Sequence, residues 1–182
     1  MTSTNMPGLD VSARVRARDI QLAGVADLRR RVVLVTGAID TADHDLSVSL
    51  ALPGPGRWQI IKAEANLTDR VWVAMQVTTD ENSHFVNDAD TMVQSRQFAR
   101  SFMTPDQRRL TFYDGEVRPG EAVLKVFTIE TGSTRPAYVH AQYSPVSTSE
   151  PGRPAPTLEQ VIADGVPARP VLEVFVPVTV RG

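Results

Sequence analysis

The stretch Leu46–Thr79, LSVSLALPGPGRWQIIKAEANLTDRVWVAMQVTT, decides the fold. It holds three apolar runs separated by two turn signals. In the first, Leu46, Val48, Leu50 and Leu52 alternate with Ser47, Ser49 and Ala51, which gives a strand one face to bury. Pro53-Gly54-Pro55-Gly56 stops that strand, because proline offers no ladder donor and glycine accepts the dihedrals of a tight reversal. In the second run Trp58, Ile60, Lys62, Glu64 and Asn66 share one side, with Gln59, Ile61, Ala63 and Ala65 on the other. After Leu67-Thr68-Asp69, Val71, Val73, Met75 and Val77 alternate with Trp72, Ala74 and Gln76. The pattern predicts three consecutive antiparallel strands, a β meander with a mostly dry interior.

The bulk composition bounds what such strands can belong to. With 182 residues, 42% of them hydrophobic, the chain can fill the core of one domain without staples. A formal charge of -2 argues against general affinity for nucleic acid or anionic lipid, which requires a positive excess. The absence of cysteine excludes disulfide scaffolds and thiolate metal sites. No run reaches the roughly 18 apolar residues of a spanning helix, and the N-terminus, MTSTNMPGLDVSARVRARD, has no apolar signal-peptide core. Basic residues are almost all arginine, Lys62 and Lys125 being the only lysines. A GC-rich coding genome explains that bias, although arginine's planar fork also suits subunit interfaces.

Outward from the centre, Met1–Gly8 reads as a polar arm. In Val11–Leu22, Val11, Ala13, Val15 and Ala17 face one way and Ser12, Arg14, Arg16 and Arg18 the other, predicting an edge strand. Its arginine face is either solvated, which discourages stray pairing, or docks an acidic neighbour or phosphate. Val32–Thr36 is β-branched and reads as a buried strand. VVLVTGA looks like the start of a dinucleotide-binding unit, but no second and third glycine follow Gly37 at the needed spacing. The donors Asp40, Asp43, His44 and Asp45 crowd one loop that lacks the glycine pivot and distal glutamate of a calcium loop, so a solvated turn is expected. The acidic loop around Asp80–Asp90 reads the same way.

Periodicity breaks down from Thr91 to Arg109, where a short helix and a strand through Gln97–Phe102 both fit. Leu110–Tyr113 is a short strand that Asp114-Gly115 is expected to reverse, and Pro119-Gly120 marks the next turn. Ala122–Thr131 and Ala137–Tyr143 are strands, with Val123, Lys125, Phe127 and Ile129 on one face of the first. His140 shares a face with Tyr138 and Gln142 and is expected to be a partly buried hydrogen-bonding group. Pro145–Pro156 is a linker without periodicity. Thr157 with Gln160 has the spacing of a capping box opening a short helix, and Gly165–Pro170 ends it. The closing run Val171–Val180 has strand composition, and Pro177 confines it to a sheet edge.

Chemistry-bearing patterns are sparse. Cysteine nucleophiles are impossible, no G-x-S-x-G surrounds a serine, and His44, His84 and His140 show no metal-ligand spacing. No catalytic residue, metal or cofactor is assigned, and the chain reads as a non-enzyme. Arg14, Arg16 and Arg18 lack the aromatic neighbours of a nucleic-acid surface. Trp58 and Trp72 fit core or interface packing, with a sugar-stacking platform as the alternative.

Pro53-Gly54-Pro55-Gly56-Arg57-Trp58-Gln59-Ile60-Ile61-Lys62-Ala63 followed by Arg70-Val71-Trp72-Val73-Ala74-Met75 is a proline/glycine turn, a tryptophan-bearing strand and a strand of alternating hydrophobes. In this the chain resembles small virion proteins of tailed bacteriophages, and Leu124–Ser144 is similar to the closing hairpin of their sandwiches. The resemblance covers about half the chain and implies a structural β-sandwich of head, neck or tail, located in the virion and assembled in the host cytoplasm. The arginine-rich first strand, the proline-rich linker and the terminal strand depart from it.

The expectation is therefore an all-β, jelly-roll-like antiparallel sandwich of about eight to ten strands. Residues 1–22 form an arm and edge strand, 23–144 the core, and 145–182 a linker, short helix and C-terminal edge strand. Its partners are copies of itself and other virion proteins, with no direct nucleic-acid reading and no membrane. They are met through Arg14, Arg16 and Arg18 and through Val171, Leu172, Val174, Val176 and Val178 by strand addition. Deleting Val171–Gly182 is expected to abolish assembly while the domain still folds. A carbohydrate-binding sandwich using Trp58 or Trp72 is the alternative.

Overall fold

The computed structural model describes residues 20–145 and 156–182. Two sheets pack face to face as an all-β sandwich, with one short helix. In chain order the strands are β1 (Ile20–Asp27), β2 (Val32–Ile39), β3 (Asp45–Leu50), β4 (Gly56–Asn66), β5 (Trp72–Thr79), β6 (Ser83–Val86) and β7 (Gln94–Ser95). Then come β8 (Phe98–Met103), β9 (Arg109–Val117), β10 (Ala122–Thr131), β11 (Ala137–Tyr143), the helix α1 (Leu158–Asp164), β12 (Val171–Val176) and β13 (Val178–Arg181). One sheet has the order β13-β1-β2-β4-β10-β6, with β7 also on β10; the other runs β12-β3-β11-β5-β9-β8.

The three central strands are where the alternation puts them, but they are not a meander. β3 and β5 flank β11 in one sheet, whereas β4 lies between β2 and β10 in the other. Alternation shows which face of a strand is buried, not which strand it pairs with, and the loops after Leu50 and Asn66 cross between the layers instead of folding back as hairpins. Such crossings also allow parallel neighbours. β1–β13, β2–β4 and β3–β12 are parallel, so the sheets are mixed and not the antiparallel pair expected. The described strands number thirteen, above the expected count.

Burial follows side-chain parity closely. On β4, Trp58, Ile60, Lys62, Glu64 and Asn66 all face inward, and on β10 so do Val123, Lys125, Phe127 and Ile129. A register shift between Trp72 and Ala74 reverses the parity of β5, turning Trp72 into the core beside Met75 and Val77 and leaving Val73 on the outer face. Asp114-Gly115 is not a reversal. It is an irregularity within β9, with Asp114 at φ 66°, and β9 continues to Val117. The ambiguous segment before it resolves as strand β8.

The helix has its capping box: the Thr157 hydroxyl accepts from the Gln160 N–H, and the Gln160 side chain accepts from the Thr157 N–H. It covers the outer face of β5, β9 and β11 through Leu158 and Val161, with Val166 just beyond its end, against Ala74, Tyr113 and Tyr143. Arg109 donates to the Ala163 and Asp164 carbonyls at 2.7 and 3.1 Å, satisfying groups that a helix end leaves without partners.

Pro177 splits the C-terminal run into two edge strands on different sheets, because a residue without an N–H interrupts the ladder at the corner. Leu172, Val174 and Val176 are buried in this chain's own core, so their side chains are not the partner surface expected of them. Val178 is half-buried against the same core and Val171 is exposed. The C-terminal segment is thus an integral edge of both sheets.

Candidate functional site

The centre of the sandwich is charged. In the β4–β10 register Lys62 stands directly opposite Lys125, and Val123 opposite Glu64. Like charges facing each other across a ladder repel, and Glu64, one inward position along β4, answers both. Its two carboxylate oxygens lie 3.4 Å from Lys62 Nζ and 3.1 Å from Lys125 Nζ. These are ion pairs off the line of a good hydrogen bond, since neither Glu64 oxygen has a hydrogen-bond partner among the described residues. All three side chains are sealed from solvent, at 1% exposure or less.

The other sheet contributes Tyr138, His140 and Gln142 from the inward face of β11. Lys62 Nζ sits 3.2 Å from His140 Nδ1 and 4.5 Å from the centre of the Tyr138 ring, a cation–π distance. His140 Nε2 is 3.0 Å from Gln142 Oε1, and Gln142 Nε2 donates to the Thr41 carbonyl at 3.0 Å. With the Gln142 amide nitrogen committed to a carbonyl, its oxygen faces His140, so Nε2 carries the ring hydrogen and Nδ1 accepts from Lys62. Beyond Gln142, Arg169 donates to Asp45 Oδ1 at 2.8 and 3.0 Å and to the Ala42 carbonyl at 2.7 Å, tying the β2–β3 loop to the segment before β12. Asp45 is thus a buried anchor, although a solvated loop was expected there.

The electrostatics follow from this packing. Burial pulls Lys62 down to about 7, against the attraction of Glu64 and with the help of Lys125. Burial lowers Lys125 as well. Burial alone would raise the Glu64 carboxyl, but Lys125 and then Lys62 overcome it and hold the group well below the usual carboxylate range. His140 is held well below the usual imidazole range by burial and the two lysines, and burial beside Glu64 raises Tyr138 well above its ordinary value. The cluster can store and move a proton among buried groups. With every member sealed, it offers no surface to an outside substrate.

Sequence reasoning placed each of these residues on the correct face of its strand but did not assemble them. His140 is fully buried, beyond the partial burial expected, with both ring nitrogens engaged. Trp58 and Trp72 are 0% and 1% exposed. Trp58 lies under the Arg31 guanidinium at 4.0 Å and donates to the Gly54 carbonyl at 2.9 Å, pinning the proline/glycine turn. Neither tryptophan can present a ring to a sugar. Arg14, Arg16 and Arg18 lie outside the described residues.

The outer surface shows a different feature at β8. Ala99, Arg100, Ser101 and Phe102 are all exposed, and β8 pairs with β9 alone. Thr104 N–H donates to the Arg109 carbonyl. By antiparallel alternation the inward-bonded residues of β8 are then Arg100 and Phe102, leaving the backbone groups of Ala99, Ser101 and Met103 on the open side. A shallow groove of about 210 Å³ runs beside this edge, lined among others by Val93, Phe98, Ser101 and Phe112.

No curated protein and no solved structure matches the chain. Residues 22–182 match a family described as of unknown function, DUF6423, and the chain belongs to that family.

Proposed function

We propose that this protein is a structural component that works through subunit–subunit contacts, made by adding a strand of a neighbouring copy to the open edge of β8. The observation that carries the reading is the run Ala99–Phe102, exposed on both faces and unpaired along its outer backbone among the described residues. Edge strands are ordinarily blunted by charged side chains, proline or a covering segment; FARSFM has no lysine or proline, and its one charged side chain, Arg100, lies 3.6 Å from Asp114 on the paired strand β9. Unmet backbone donors and acceptors there supply the affinity, and Phe102, at 38% exposure, supplies an apolar anchor. The setting of a tailed-phage particle, with other virion proteins as partners, is supported by the likeness of the central stretch alone. The carbohydrate-binding alternative loses its support, because both candidate tryptophans are in the core.

Ser101→Pro tests the edge directly. It removes an outward N–H and no β9 ladder bond, a change edge strands tolerate. Sedimentation velocity should show the wild-type chain self-associating and the variant shifted to monomer, with an unaltered circular dichroism spectrum. A wild-type chain that stays monomeric at high concentration, or a Ser101→Pro chain that associates as before, defeats the reading.

A further inference from the structure

The seven-stranded sheet brings Lys62 and Glu64 on β4 and Lys125 on β10 to the middle of the sandwich, and the six-stranded sheet brings Tyr138 and His140 on β11. Buried ionic groups are a poor way to gain stability, since well-packed apolar residues do as well or better. Here they include every lysine the chain has. The direct polar contact between the layers in this cluster is Lys62 Nζ to His140 Nδ1 at 3.2 Å.

That contact has a definite proton capacity. Gln142 holds the hydrogen on His140 Nε2, so Nδ1 presents a lone pair and accepts from Lys62 whether Lys62 is an amine or an ammonium. Moving the ammonium's extra proton onto Nδ1 keeps a hydrogen bond, with the Lys62 amine now accepting. A second extra proton does not fit. Both partners would then be cationic donors facing each other at hydrogen-bond distance, beside a third cation at Lys125, with Glu64 the one anion in the cluster. Tyr138 gives no relief, because its hydroxyl has no partner among the described residues and it stays protonated at these pH values.

We infer that the Lys62–His140 contact is an acid-released latch between the two sheets, holding while the pair carries at most one extra proton and letting go when it must carry two. The inference is independent of the assembly reading above.

The direction follows from linkage. Lys62 is lowered to about 7 in the fold and His140 well below its ordinary value, whereas the unfolded chain takes up the same protons near 10.4 and 6.5. As pH falls through each window the unfolded state binds more protons than the folded one, so each step favours unfolding, and the second is the one that releases the latch. The contribution of Glu64 is lost only in stronger acid, below its ordinary range, and does not account for a loss at mildly acidic pH.

Two measurements on the full chain test the latch. With only two lysines, the lysine ¹³Cε resonances are two signals. One should titrate near 7 in the native protein. Urea unfolding, followed by the fluorescence of buried Trp58 and Trp72, should show the unfolding constant rising about tenfold per pH unit from pH 9 to 7 and rising again below pH 6. Lys62→Met should reduce the first rise to whatever share the lowered Lys125 contributes, and His140→Gln should flatten the second. If either variant fails to fold, the wild-type titration still decides. Both lysines titrating above pH 10, a stability profile level from pH 9 to 5, or a His140→Gln profile with the wild-type rise in acid overturns the inference.

Discussion

Glu64 is the residue on which the interior depends. It is the one anion between two lysines that the β4–β10 register sets face to face. Removing one member of a buried charge set costs most when it leaves the rest uncompensated. Glu64→Gln strands two lysines and should destabilise the protein by about 3–5 kcal/mol. Lys62→Met leaves Glu64 and Lys125 in one-to-one balance; its cost is the unpartnered His140 Nδ1, about 1–3 kcal/mol. Denaturant midpoints at pH 7.5 should therefore rank Lys62→Met above Glu64→Gln, and the reverse order would show that Glu64 is not the compensating charge. Part of this was legible beforehand. Alternation set Lys62 and Glu64 beside Trp58 and Ile60, Lys125 between Val123 and Phe127, and His140 with Tyr138, each on a face otherwise fit for burial. A charge in phase with a core face is the signal. The meeting of the three faces was not legible, because it depends on β4 and β10 being neighbours and β11 lying opposite, and strand partners are set by connections that alternation does not encode.

At the scale of elements, the strands whose ends carry strong turn chemistry match their sequence reading best. β10 begins and ends, and β11 begins, where the flanking Pro119-Gly120 and Gly132–Pro136 signals put them, and α1 starts at its capping box. β8 and β9 were harder, because the irregularity that shapes them looks like a turn in one dimension. Gly115 faces Phe98 across the ladder, and a Cβ there would lie 1.9 Å from the backbone oxygen of Gln97, an atom that cannot swing aside. The preceding Asp114 stands at φ 66°. Gly115→Ala should push β8 away from β9 at a cost of about 1–3 kcal/mol, the range of an overpacked site. Hydrogen exchange should accelerate across Phe98–Met103 while β10 and β4 keep their protection. Gly54→Ala is the matched control, since a Cβ at Gly54 meets nothing within 4 Å. Equal effects of the two substitutions would remove the close approach as the reason for a glycine at 115.

For the whole molecule, the decisive feature is how the chain ends. A reading of Val171–Val180 as a free edge strand makes it dispensable for folding and available to a partner. The structure instead uses it twice, β12 completing one sheet beside β3 and β13 the other beside β1, with Pro177 at the corner and Gly24 packed against Val176 and Val178. Leu172, Val174 and Val176 are at most 5% exposed. Losing three such side chains removes about 1.5–3 kcal/mol each, and both strands' ladders go with them. The sum approaches the whole net stability of an ordinary domain, about 5–15 kcal/mol. A chain ending at Pro170 should therefore fail to fold, giving poorly dispersed amide resonances and no cooperative melt, whereas association lost from a folded remnant is what a free strand predicts. A truncated chain that melts cooperatively within a few degrees of the intact protein would mean that the two sheets stand without this crossing. Failure to fold would leave the β8 edge, at the opposite end of the six-stranded sheet, as the place where the proposed contact between copies can be tested without dismantling the core.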